Sequence, residues 1–201
     1  MDKLSYALGM EIAQNLKKAG VESLEYNDFA AGLTAIFENT EKVMTIEEGE
    51  KIMNEYFEKK QKEEMIKEQM KAAIADKEGK EFLKLNKQKE GVVVTDSGLQ
   101  YRVITEGSGQ QPTAHSRVKC HYEGKFVSGE IFDSSYKRGE PVVFGLDQVI
   151  PGWSEGVCLM KPGAKYEFAL PSMLAYGPNG IPGRIPGNSV LTFTVELLDI
   201  L

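Results

Sequence analysis

Proline is missing from the first 90 residues of this 201-residue chain, because all eight prolines fall at Pro112 or later. The same stretch holds only five of the 20 glycines, so little in it interrupts a helix. Cysteine is scarce: Cys120 and Cys158 are the only two, which excludes a disulfide scaffold and fits free thiols in a reducing compartment. Histidine is equally scarce. With only His115 and His121, and no Cys-x-x-Cys or His-x-x-x-His spacing, no zinc site is expected. No apolar run approaches the ~20 residues that span a bilayer. The opening MDKLSYALGMEIAQ has neither the cationic lead nor the apolar core of a signal peptide. A formal net charge of −6 weighs against nucleic acid or an anionic membrane as partner. These absences make the cytoplasm the expected compartment, with the periplasm an option only if an export signal has been removed.

Reactive chemistry is missing as well. Cys120 and His121 are neighbours in a strand pattern, so their side chains point to opposite faces and cannot form a thiolate–imidazole dyad. Neither Gly-x-Ser-x-Gly nor a phosphate-cradling glycine loop occurs. No cofactor is expected.

What is present divides near residue 91. Before it, Leu4, Leu8, Ile12 and Leu16 recur at helical spacing, and Phe29, Leu33, Ile36 and Phe37 make a second short amphipathic face. Thr45 and Glu48 spell a capping box that opens a third helix, running from Ile46 to about Lys89 and interrupted only by Gly79. Its stretch KKQKEE at 59–64 is polar on every side and reads as a solvated shaft, braced by Glu55/Lys59, Glu58/Lys62 and Glu63/Lys67. The apolar residues before the shaft are too many for two short helices to cover. Residues 1–57 are therefore expected to dimerise, the alternative being a three-helix cap folded back on its own chain.

After residue 91 the pattern is strands: Leu99–Thr105, Arg117–Glu123, Lys165–Leu170 and Val190–Leu197, rich in β-branched and aromatic residues and bounded by turn formers. Only Trp153–Met160 looks helical there. The fold class is α+β: an all-helical N-terminal dimerisation region (1–57), a long connecting helix (46–90), then an antiparallel sheet curved around one short helix (91–201). Aromatics stand at loop edges, namely Tyr122, Phe132, the lone Trp153 behind the Pro151–Gly152 turn, Tyr176 and Phe193. Asp133 follows Phe132 directly. Together they read as an apolar pocket with a few polar anchors.

Four motifs carry a resemblance. GEIFDSS…RGEPVVF, VIPGW, the LAYG loop and the closing LTFTVELLDI, in that order, resemble the FKBP-type peptidyl-prolyl isomerase domain over about residues 97–201. The long helix ending in EFLKLNKQKEGVVVTDSGLQYRV resembles the two-domain bacterial FklB/Mip-like subgroup. The resemblance implies an isomerase of X-Pro bonds in folding chains and a V-shaped homodimer joined through the N-terminal helices. Macrolide-type inhibitors are implied as ligands. It also implies Trp153 as a floor under the proline ring and Tyr122, Phe132, Phe144 and Phe193 as walls. Val149, Ile150 and Ile185 would form the rim. The Ile150 N–H and the Tyr176 hydroxyl would hold substrate carbonyls. Asp133 would lie beside the twisting carbonyl and pair with Arg138, or hold its loop through Ser134, Ser135 or Arg138. Val142 stands where the family often has a bulky aromatic, which opens the rim. Arg184, in GPNGIPGRIPG, reads as a solvated loop arginine. The alternative function is a dimeric chaperone or binding module that uses the prolyl pocket for capture.

Overall fold

The computed structural model describes every residue from Met1 to Leu201 and divides into two compact units, Met1–Met65 and Ile66–Leu201. In the first unit, helix α1 (Lys3–Lys18) starts where the Asp2 carboxylate accepts the Ser5 N–H at 2.7 Å. It ends in Lys17 and Lys18, which complement the negative end of the helix dipole. Helix α2 spans Tyr26–Phe37. Helix α3 (Ile46–Asn86) opens on the expected capping box. The Thr45 N–H donates to the Glu48 carboxylate at 2.8 Å, and the Glu48 N–H donates to the Thr45 hydroxyl at 3.1 Å. No residue of α1 or α2 is buried.

The shaft is solvated, but its expected braces do not form. Glu55, Glu58 and Glu63 make no ion pair with Lys59, Lys62 or Lys67; Lys60 instead reaches Glu22 at 2.9 Å. The ion pairs within α3 come later, Lys71 with Glu68 and Lys80 with Asp76. An exposed pair contributes so little, about 0–1 kcal/mol, that long side chains gain as much by staying in water.

The second unit takes the last turns of α3 and a seven-stranded antiparallel sheet. Its strands are β1 (Val92–Val94), β2 (Gln100–Thr105), β3 (Arg117–Phe126), β4 (Ile131–Ser134), β5 (Val142–Gly145), β6 (Lys165–Leu170) and β7 (Leu191–Ile200). They run in the order β1-β2-β6-β7-β3-β4, with β5 also paired to β3. Three of these, β1, β4 and β5, have only three or four residues each, too few to show a period in the sequence. A one-turn helix α4 (Ser135–Arg138) follows β4, and α5 (Pro151–Cys158) crosses one face of the sheet. Helix α5 begins two residues earlier than its apolar pattern indicates, because Pro151 occupies the first helical position, where no N–H is needed. Gly152 is then not a turn residue. It is buried in the helix, and a Cβ there would stand 2.5 Å from Leu170, so its absence lets α5 close onto β6.

Gly79 has a similar reason. The helix continues through it, and a Cβ there would lie 2.5 Å from Val190. Beyond it, Gln100 donates to the Leu83 carbonyl and Asn86 donates to Gln100, both at 3.0 Å, fastening the end of α3 to β2. The core is made by Leu99, Val118, Cys120, Leu146, Val157, Met160, Phe168, Leu170, Leu191, Val195 and Leu197, none more than 2% exposed.

Candidate functional site

Trp153 enters the core from the third position of α5, with its backbone N–H donating to the Ile150 carbonyl at 2.9 Å. Three rings meet its indole edge to face: Tyr122 from β3 at 5.0 Å, Phe144 from β5 at 5.2 Å and Phe193 from β7 at 5.4 Å. Phe132, on β4, stands perpendicular to Phe193 at 5.7 Å and tilts against Phe126 at 5.1 Å. The result is a shallow aromatic dish. Its base is Trp153, Phe193 and Ile185, at 5%, 4% and 3% exposure. Half-buried Tyr122, Phe132, Phe144, Val149 and Ile150 pack around them. Val142 shares the Phe144 face of β5 but stays outside this cluster.

One position makes the dish possible and does not stand out in the sequence. Gly124, two residues before the end of β3, pairs with Phe193 on one side and Asp133 on the other. A Cβ there would stand 2.7 Å from the Phe132 ring and 2.8 Å from the Phe193 ring. Glycine is the residue that lets both rings lean over the strand.

A polar cluster edges the dish. The Tyr122 hydroxyl donates to Asp133 Oδ2 at 2.7 Å; Arg138 donates through Nη1 to Asp133 Oδ1 and through Nη2 to the Tyr122 oxygen, the latter at 3.0 Å. The carboxylate therefore closes the loop through Arg138 and not through the serines. Ser134 caps α4 by accepting the Lys137 N–H, and Ser135 accepts the Tyr122 N–H at 2.7 Å while its oxygen lies 2.9 Å from His121 Nδ1. Burial pushes the Asp133 carboxyl upward, but hydrogen bonds from Tyr122 and Arg138, with the charges of Arg138 and Arg184, outweigh it and hold the group below its ordinary value. The Tyr122 phenol is pushed up by burial and by Asp133. Burial also raises Tyr176, which is half covered at the start of a short turn.

Arg184 is exposed, as expected of a loop arginine, but it also has a partner in the chain. Its guanidinium donates to the Phe132 carbonyl at 3.2 Å, tying the 177–190 loop to β4 beside Asp133. Two N–H groups at the dish make no hydrogen bond within the chain: the backbone N–H of Ile150 and the indole N–H of Trp153. Neither cysteine is an alternative centre. Both are unpaired, and burial drives the Cys120 thiol to about 12, far from a thiolate at neutral pH. No helix is long and apolar enough to cross a membrane.

Comparisons with known proteins agree along the whole chain. Residues 108–198 match the family model described as FKBP-type peptidyl-prolyl cis-trans isomerase. Residues 1–103 match that of the domain amino terminal to it. The chain is 40% identical over 197 residues to the FKBP-type 22 kDa peptidyl-prolyl cis-trans isomerase of Escherichia coli K12, covering 98% of this chain and 94% of that protein. It is 39% identical over 199 residues to the peptidyl-prolyl cis-trans isomerase Mip of Coxiella burnetii, covering 99% of this chain and 86% of the other. The crystal structure of FkpA from Escherichia coli superposes with a TM-score of 0.73 at 35% identity, over 98% of this chain and 92% of that one. The cytoplasmic placement finds no support among these relatives. One of them, 35% identical over 203 residues, is named an outer membrane protein of Legionella longbeachae.

Proposed function

The chain belongs to the FKBP-type peptidyl-prolyl cis-trans isomerase family and is a peptidyl-prolyl cis-trans isomerase acting on proline-containing polypeptides; from that premise we propose that catalysis takes place in the aromatic dish around Trp153. The observation that carries this reading is the convergence of three rings on one indole, edged by an ionised carboxylate and by donors without partners in the chain.

An X-Pro bond turns over tens to hundreds of seconds unaided, because rotation breaks amide resonance. No covalent bond is made or broken, so the reaction requires no nucleophile. The planar amide carries partial charges that its twisted form loses in large part. A dry apolar dish therefore disfavours the planar form relative to the twisted one. A hundredfold acceleration takes only about 2.7 kcal/mol. In this reading the proline ring rests on Trp153 between Tyr122, Phe132, Phe144 and Phe193, within a rim of Val149 and Ile150; Ile185, expected in the rim, lies in the base instead. The Ile150 N–H and the Tyr176 hydroxyl hold carbonyls on either side of the bond. Asp133, fixed by Tyr122 and Arg138, faces the rotating carbonyl. Macrolide-type inhibitors would occupy the same dish, and the small Val142 widens its edge.

The capture-only alternative is not favoured, since the match over residues 108–198 is to an enzyme family. Dimerisation through residues 1–57 remains our proposal. Its support is the apolar surface the first unit leaves uncovered, including Leu4 at 69%, Ile36 at 59% and Ile52 at 55% exposure. A protease-coupled assay on an X-Pro peptide tests the enzyme, and the lone Trp153 tests the site. The expected results are turnover above background and a change in indole fluorescence as the peptide binds. Turnover with unchanged fluorescence would move catalysis away from the dish.

A further inference from the structure

Beside the dish lies a cleft of about 410 Å³ that the isomerase reading does not use. It runs between the last turns of α3 and two loops of the second unit, the β3–β4 turn and the segment following Tyr176. Its apolar lining comes from Ile74 and Ala75 on α3, Phe126 and Val127 at the end of β3, and Ile185 and Pro186 in the loop. Ile74 is 57% exposed there, an uncovered apolar side chain on the same α3 face as exposed Ile66 and Met70.

The cleft is continuous with the site already described. Ile185 belongs both to the base of the dish and to the cleft wall. Phe126, a second wall residue, tilts at 5.1 Å against Phe132, which stands at the dish edge. A polypeptide whose proline rests on Trp153 thus has an apolar path past Ile185 toward α3.

Charge gives the path its preference. Of the ionisable groups in the cleft, Glu68 and Lys71 pair with each other at 2.6 Å. Arg184 is turned to the Phe132 carbonyl and acts on Asp133, so its charge is engaged on the dish side. The carboxylates of Glu78 and Glu130 make no ion pair and no side-chain hydrogen bond, and they stand exposed on the α3 rim and the β3–β4 rim. An apolar lining between two unpaired carboxylates suits an apolar residue flanked by lysine or arginine.

We infer that this cleft is an extended client subsite, which receives the polypeptide segment flanking the target proline and prefers an apolar residue accompanied by a basic one. The inference rests on the dish around Trp153 being the catalytic site.

The test uses the full chain and matched peptides around one X-Pro bond: a short form, and forms extended on either side by Leu-Lys or by Leu-Glu. The expected kcat/KM for one of the Leu-Lys extensions exceeds that of the short form by about threefold to tenfold, as two exposed charge contacts with some apolar burial allow. The Leu-Glu extension should show no such gain. The double variant Glu78→Lys, Glu130→Lys should lose the Leu-Lys advantage and transfer it to Leu-Glu, with short-peptide turnover unchanged. Ile74→Ser should reduce the gain for the Leu-Lys extension and likewise spare the short peptide. Equal rates for all extensions in the intact protein would overturn the subsite, as would a charge reversal that leaves the preference unmoved. Loss of short-peptide turnover in Trp153→Leu, with the Leu-Lys preference in binding retained, separates the two readings. Absence of short-peptide turnover in the intact protein would count against the catalytic dish and not against the cleft.

Discussion

Asp133 sits between opposing influences, since burial favours its neutral form while Tyr122, Arg138 and Arg184 favour the carboxylate. The second set wins, so the folded pKa lies below the ordinary 3.8. Stabilisation from this ionised group is complete above that value and is lost as pH falls through the folded pKa. Tyr122 and Tyr176 move the other way, above 10. Together these directions predict a flat kcat/KM from about pH 5 to about pH 8 with respect to these three groups. A step in that window that disappears in Asp133→Asn would contradict the assignment. Asp133→Leu should lower kcat/KM by about tenfold, close to 1.4 kcal/mol in the barrier. It also strands the Tyr122 hydroxyl and Arg138, so a small loss of stability should accompany it. An unchanged rate would remove Asp133 from the reaction. Gly124→Ala should weaken catalysis more than folding, because its methyl group meets the Phe132 and Phe193 rings at 2.7 and 2.8 Å. Parallel measurement of kcat/KM and thermal midpoint checks the difference.

At the scale of elements, α3 shows two terms in competition. Replacing Gly79 by alanine gains about 1 kcal/mol of helix propensity. It also drives a methyl group to 2.5 Å from buried Val190, and such overpacking costs about 1–3 kcal/mol. The packing term should win, so Gly79→Ala is expected to lower the denaturation midpoint, whereas Gly49→Ala on the same helix, where a Cβ would come no closer than 3.9 Å to Met44, should raise it slightly. Denaturant titration of both variants settles the order. The Thr45–Glu48 box at the other end was readable in the sequence because both partners lie within one turn. The partner of Gly79 lies 111 residues away in the chain, so nothing local announces it.

For the whole molecule, the uneven burial of the two units has a direct consequence. The second unit has a closed core, while the first leaves Leu8, Leu33, Ile52, Met53 and Tyr56 exposed. Removing residues 1–57 should therefore yield a monomer that still turns over short peptides but handles unfolded proteins poorly. Light scattering and refolding of a proline-limited protein measure the two effects. A truncated protein that remains dimeric would locate the pairing surface elsewhere.

The sequence by itself determined the change from helix to strand near residue 91, the three helices before it, the α5 segment and four of the seven strands, whereas the boundary between the compact units falls inside α3, after Met65. Hydrophobic period, capping residues and proline placement act within a few residues, and all are visible in one dimension. It also supplied the motifs that place the chain in its family, and with them the aromatic set. Only the tertiary structure decided how those side chains meet. It chose Arg138 over the serines as the partner of Asp133, turned Arg184 onto the Phe132 carbonyl, and made Gly124 and Gly152 matters of ring and helix clearance. Each of these depends on atoms brought together by sheet register between segments distant in the chain, and distance in space is what a linear pattern does not contain.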